Sequence, residues 1–345
     1  MLFRLVLVSL ATLAARSTTE LRDLRSVYET NEPAFFREHR VREIRVYQQL
    51  FDGPKAPLPR RLDYILQFDQ QGRQVQYQRG EGSTAQRVDA AYNAAGALSS
   101  LSRWAPAPGG ATAAQPAWQP TTRELLPEPN GALGYLDQWD AYHQNWLRME
   151  DRTCRRWQAH DTTYLLTTYR PGPLPQAMSP EPLHTRSVLK RSYEMPGGIT
   201  RLDVLTLEDQ VLQDEEYHYV RRQGLTEESG LLFYESRPPA TSHLPDTHPA
   251  LNYLRDSLAR RTLGKPVVEF RTTYDANGRV RTRDGLTYER DARGRLMATM
   301  HHSTRYGTYD GTRYEYLPNG LVANQKSVSD LGFASVIYYY TYRYY

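Results

Sequence analysis

Phe68-Asp69-Gln70-Gln71-Gly72-Arg73-Gln74-Val75 and Tyr274-Asp275-Ala276-Asn277-Gly278-Arg279-Val280 decide how this chain is read. In each, an aromatic residue leads into a turn containing Asp and Gly, Arg follows, and an aliphatic residue resumes the run. Looser copies stand at Tyr92-Asn93-Ala94-Ala95-Gly96-Ala97-Leu98, Tyr288-Glu289-Arg290-Asp291-Ala292-Arg293-Gly294-Arg295-Leu296 and Tyr314-Glu315-Tyr316-Leu317-Pro318-Asn319-Gly320-Leu321-Val322. Gly supplies the positive φ of a tight turn, Asp or Asn hydrogen-bonds the turn backbone, and apolar residues on both sides mark paired strands. The pattern predicts a β-hairpin at every copy.

Outward from these corners the chain continues to alternate. Val41 to Tyr47, Leu62 to Phe68, Thr162 to Tyr169, Arg186 to Tyr193, Ile199 to Leu207, Val211 to Arg221, Leu231 to Ser236 and Ser335 to Tyr345 all read as strands. The expected fold is mainly β, a long curved antiparallel meander. With 26 Tyr against 8 Phe, the sheet residue is Tyr, whose ring packs while its hydroxyl meets water. Helical spacing at Leu21, Leu24, Val27 and Tyr28, broken at Asn31-Glu32-Pro33, predicts a short helical cap over 16–40. The β-hairpin segment follows over 41–103. Residues 104–160 read as an insertion, a Pro/Ala-rich loop followed by one amphipathic helix through Leu136, Trp139, His143, Trp146 and Leu147. The meander resumes over 161–345, interrupted by breaker-rich stretches at Pro171 to Pro182 and Arg237 to Pro249 and a short helix over Ala250 to Leu258.

The opening Met1-Leu2-Phe3-Arg4, with the apolar run Leu5 to Ala15, reads as an export signal over 1–15. No stretch approaches the ~20 apolar residues a membrane-spanning helix needs. The formal charge of +4 includes Arg4 and Arg16, and the remaining cations are interleaved with acids. A nucleic-acid partner is therefore not expected. The one Cys, Cys154, excludes an internal disulfide.

The residue types of known chemistry do not assemble into a motif. His243, Asp246 and His248 share a Pro-rich stretch without metal-ligand spacing, and the neighbours His301 and His302 point to opposite faces of a strand. The acidic pairs Glu215-Glu216 and Glu227-Glu228 diverge in the same way. There is no nucleophile elbow or phosphate-binding glycine loop. No catalytic, cofactor or metal residue is assigned. The candidate binding surface is aromatic: Trp104, Trp118, Trp139, Trp146 and Trp157, every Trp of the chain, fall between residues 104 and 157, a grouping suited to a protein or glycan partner.

The copies at Phe68 to Val75 and Tyr274 to Val280 resemble the YD repeats of the bacterial Rhs family. The resemblance implies an extended antiparallel sheet on an exported or surface protein; it is to the repeat and not to a whole protein, and the family's toxin-delivery role is not carried over. Spacing between the turn glycines 72, 96, 278, 294 and 320 is uneven, and Arg290 and Pro318 depart from the pattern. Leu317-Pro318-Asn319-Gly320-Leu321 is also similar to the hairpin repeats of MORN-like antitoxin proteins. The expected function is an exported non-catalytic module, structural or binding, at the cell envelope or outside the cell. The alternatives are a hydrolase with a site assembled from distant residues and an outer-membrane β-barrel.

Overall fold

The computed structural model describes residues 21, 28, 32–51, 57–107, 117–159, 162–172, 185–195, 199–208, 211–222, 225–236, 268–277, 279–283, 285–303, 308–329 and 335–345. The expected export signal, the His243 to His248 stretch and the helix over 250–258 lie outside these residues. After the short helix α1 (Pro33–Glu38) come β1 (Val41–Phe51), β2 (Arg61–Phe68), β3 (Gln74–Arg79), β4 (Gln86–Tyr92), β5 (Leu98–Pro106) and β6 (Trp118–Leu125). They are followed by β7 (Gly134–Asp140), β8 (Asn145–Ala159), β9 (Thr162–Pro171), β10 (Arg186–Met195), β11 (Ile199–Glu208), β12 (Val211–Arg222) and β13 (Leu225–Ser236). The last are β14 (Val268–Tyr274), β15 (Val280–Arg283), β16 (Leu286–Arg290), β17 (Leu296–Ser303), β18 (Thr308–Tyr316), β19 (Val322–Ser329) and β20 (Ser335–Tyr344). The fold is the expected mainly-β antiparallel meander, and two compact units divide it, Met1–Thr121 with Glu289–Tyr345 and Thr122–Tyr288.

In the first unit β1 pairs with β2 on one side and with β20 on the other, both antiparallel. Ile44 and Val46 of β1 face Leu66 and Tyr64 of β2, and Val46 faces Tyr340 of β20. All five are buried, and they make one apolar face. Helix α1 begins at Pro33, whose fixed φ and missing N–H suit a first helical position. It docks through buried Phe36, which stacks on Phe68 at 4.5 Å between ring centroids. Tyr28 donates its hydroxyl to Tyr342 of β20, and Leu21 packs with the Val88, Ala90 and Leu101 cluster. The opposite face is polar: Glu43 accepts from Arg45 at 2.7 Å and from Gln67 at 3.3 Å, and Asp89 from Gln76 at 2.9 Å.

The corners form as their chemistry requires. Asp69 Oδ1 accepts from the backbone N–H of Gln71 and Arg73, Asp69 Oδ2 accepts from Arg73 Nε at 2.7 Å, and Gly72 sits at φ 78°. Asp291, Arg293, Gly294 and Arg295 repeat this arrangement, with the Arg295 Nε bond again 2.7 Å and Gly294 at φ 79°. Register shifts by a residue just before Phe68, Tyr92, Tyr274 and Tyr316, the bulge expected of such loops.

One regularity was not legible in the sequence. The corner Arg lies over the aromatic ring that opens the following corner, Arg73 over Tyr92 at 4.8 Å and Arg295 over Tyr316 at 4.9 Å. That Tyr hydroxyl then donates to the carbonyl just past the Arg: Tyr92 to Gln74 at 2.8 Å and Tyr316 to Leu296 at 2.6 Å. Tyr342 makes the same bond to Val322 at 2.7 Å. Successive corners are thus tied together by Tyr hydroxyls.

Two expectations are corrected. Leu136, Trp139, His143, Trp146 and Leu147 do not share a helix: β7 and β8 form a hairpin in which Trp139 is the strand partner of Trp146. Asp140 enforces the reversal, because its Oδ1 accepts from the backbone N–H of Tyr142 at 2.9 Å and of His143 at 3.2 Å. The expected loop after Trp104 also contains structure. β5 runs to Pro106 and β6 begins at Trp118, with Ala107 N–H donating to Ala117 O at 2.7 Å between them.

Candidate functional site

The second unit places charges and rings together on β6, β7 and β8. Register sets Arg123 opposite Asp137, Asp137 opposite Arg148, Trp139 opposite Trp146 and Tyr135 opposite Asp151. Since alternate residues of a strand share a face, Tyr135, Asp137 and Trp139 present one side of β7, joined by Arg123, Trp146 and Arg148 from its neighbours. Asp137 is 2% exposed and accepts from Arg123 Nε at 2.8 Å and Arg148 Nε at 2.5 Å. Arg148 Nη1 also donates to Asp151 at 2.7 Å. Burial works against the Arg148 charge, but Asp137 and Asp151 outweigh it and hold the guanidinium above its ordinary pKa.

The rings fill the space between the charges. Arg123 lies over Trp146 at 4.6 Å and Arg148 over Tyr135 at 4.2 Å, while Trp139 meets Trp146 edge-to-face at 5.2 Å. At the hairpin tip Tyr142 is 88% exposed. His143 Nδ1 and Asp140 Oδ2 are 2.6 Å apart, and the bond from His143 holds the Asp140 carboxyl below its ordinary value. On the other side of these strands Arg152 bridges Glu124 and Glu150, and all three are buried or half-buried.

The remaining Trp residues have their own settings. Trp157 stacks on its strand partner Tyr164 at 5.0 Å, Trp104 lies under Arg87 at 5.6 Å with its Nε1 buried and unbonded, and Trp118 is half-buried at the start of β6. Of the five expected binding residues, the described contacts bring only Trp139 and Trp146 together. Arg123, Tyr135, Asp137 and Arg148 belong with them and were missed, because their grouping depends on register across three strands. Cys154 is half-buried, and burial pushes its thiol pKa up, which disfavours a reactive thiolate. Among the described residues no group of His, Cys, Asp or Glu has the makings of a metal site. No helix is long and apolar enough to cross a membrane among those residues.

No known family and no curated protein matches the sequence. Solved structures similar to it include two mutants of the Rh. blastica porin. They are 9% and 8% identical with TM-scores of 0.30 and 0.29, covering 86% and 87% of this chain and 96% and 98% of theirs. Another is a porin-like protein from Bacteroides uniformis ATCC 8492, 9% identical with TM-score 0.26, covering 88% of this chain and 98% of that one. These scores lie below what a shared fold requires.

Proposed function

We propose that the chain is an exported, non-catalytic β-repeat protein of the YD type, a structural and binding module at the cell envelope or outside the cell. The corner-to-corner tie carries the reading, since it commits Asp, Arg and Tyr side chains to holding the meander together. The face of β6 to β8 is its binding surface, where rigid rings and oriented guanidinium groups are displayed with little side-chain freedom left to lose on association. Fractionation of cells making the full chain tests the assignment. Recovery from the periplasm, surface or medium is expected, and a wholly cytosolic mature protein refutes it.

The pairing of β1 with β20 favours a second reading, an outer-membrane β-barrel, because an up-and-down barrel needs its first and last strands bonded. Lipid contact also needs an exposed apolar band. Along β1, β2 and β20 the side carrying Ile44, Val46 and Leu66 is buried, and the other carries Glu43, Arg45 and Arg343. Release of the protein by carbonate without detergent is the result expected of the first reading and excludes the second.

A further inference from the structure

We infer that the face formed by Trp139, Trp146, Arg123, Tyr135, Arg148 and Asp151 binds an uncharged oligosaccharide, a step that rests on this face being the binding surface of the module. The argument begins with charge. Arg123 and Arg148 are matched by Asp137 and Asp151 through contacts of 2.5 to 2.8 Å, so the quartet has no net charge to offer a polyanion or a polycation. A nucleic-acid strand needs uncompensated cations and open ring faces on which bases stack. Here Arg123 occupies Trp146, Arg148 occupies Tyr135, and both guanidinium groups are already neutralised. An apolar helix or strand of a partner protein is also a poor occupant, since it would press aliphatic groups against ion pairs and desolvate them without return.

A sugar ring fits what remains. Its C–H groups pack on an aromatic plane, and its hydroxyls donate and accept together. Trp139 provides the plane: it is half-buried, braced edge-to-face by Trp146, and no guanidinium lies over it among the described contacts. Beside it, Arg123 is bound to Asp137 through Nε, and its side chain is 41% exposed, so its outer N–H groups are placed to donate to hydroxyl oxygens. Asp151, 47% exposed, accepts from hydroxyls. Strand register thus sets donor and acceptor in a row running away from the ring, Arg123 one cross-strand pair and Asp151 two pairs from Trp139 on the same side, so that an extended sugar chain lying along β7 and β8 meets the aromatic plane first and the polar groups after it. Trp157 of β8 stacks on Tyr164 of β9 but lies under Arg155 at 5.7 Å, so Trp139 remains the aromatic platform of the proposal.

Isothermal titration of the full chain with cellohexaose, laminarihexaose and chitohexaose is the test. At least one hexasaccharide is expected to bind, with affinity unaffected by raised salt because no net charge is matched. Trp139→Ala should weaken it by about tenfold or more, the loss typical of a central aromatic contact. Arg123→Lys keeps the charge but not the planar fork, and should also weaken binding while the circular dichroism spectrum stays unchanged. His301→Gln on β17 should leave affinity as it was. Failure of all three sugars, binding that survives both Trp139→Ala and Arg123→Lys, or salt-sensitive binding of heparin or oligo(dT) in their place overturns the inference. Those outcomes leave the envelope assignment standing, since fractionation reads it independently.

Discussion

Removing a single hydroxyl oxygen, Tyr316→Phe, isolates the tie between corners. The ring and its contact with Arg295 remain, and only the bond from Tyr316 to the Leu296 carbonyl at 2.6 Å is lost. A net contribution of about 1 kcal/mol is expected for such a bond, with the orphaned, part-buried carbonyl placing the cost in the upper part of the usual range of about 0.5–1.5 kcal/mol. Tyr316→Ala removes the ring as well; the loss of a cation–π contact and of packing around a half-buried aromatic should raise the cost to about 3 kcal/mol. Urea unfolding followed by Tyr fluorescence gives the totals. Amide exchange reads the location, because the corner bonds Asp291 N–H to Arg295 O and Leu317 N–H to Leu321 O should lose protection first. A double-mutant cycle with Arg295→Gln separates the ring contact, for which a coupling of about 0.5–1 kcal/mol is expected. Equal effects of Phe and Ala at position 316, or a Phe variant as stable as the parent with unchanged exchange at both corners, would refute the reasoning.

Alkaline titration gives a second expectation. Burial pushes Tyr92 and Tyr316 up to about 12 from the ordinary value of 10.0. A raised pKa in the folded state means the unfolded chain releases its phenolic protons first. The stability is therefore intact below about pH 10 and is lost between about pH 10 and 12, so Tyr92→Phe with Tyr316→Phe should flatten that loss in pH-dependent melts. Gly72→Ala and Gly320→Ala should differ in urea unfolding. Both residues have positive φ, 78° and 87°, but a Cβ at Gly72 would lie 2.0 Å from Pro33 O, whereas Gly320 has nothing within 4 Å. Gly320→Ala should cost about 1–2 kcal/mol from the backbone alone, and Gly72→Ala distinctly more, with α1 released. Asp137→Ala should destabilise the second unit by about 3 kcal/mol, since it strips the shared partner from Arg123 and Arg148, and a change below about 1 kcal/mol would show that water replaces it.

The corners were readable because their causes are local. Asp at the first position, Gly at the fourth and Arg at the fifth act within a few residues, and both Asp69 and Asp291 do in space what their spacing implies. The Leu136 to Leu147 segment misled for a related reason. A hairpin with the turn Ala141 to Gln144 brings Trp139 beside Trp146, and the same seven-residue separation spans about two helical turns. The short-range signal that distinguishes them is Asp140, an acceptor placed to reverse the chain, together with Gln144 at φ 51°. The site was only half legible. Trp139 and Trp146 stand out by residue type, but the pairing of Arg123 with Asp137 and Arg148 depends on how three strands align, and alternation fixes which side a residue faces without fixing its neighbour on the next strand.

The bond between Thr341 and Arg45 joins residues 296 positions apart, and β1 has β20 as a partner along nearly its whole length. On the ribosome, β1 emerges long before that neighbour exists. Its backbone amides and carbonyls on that flank must wait while the chain from Arg45 to Thr341, 296 positions further on, is made, a situation that invites adhesion to other nascent chains. Closure over so large a loop is also slow, so the pairing of β1 with β20 should be a late event in the folding of this unit and one that a holding chaperone would assist.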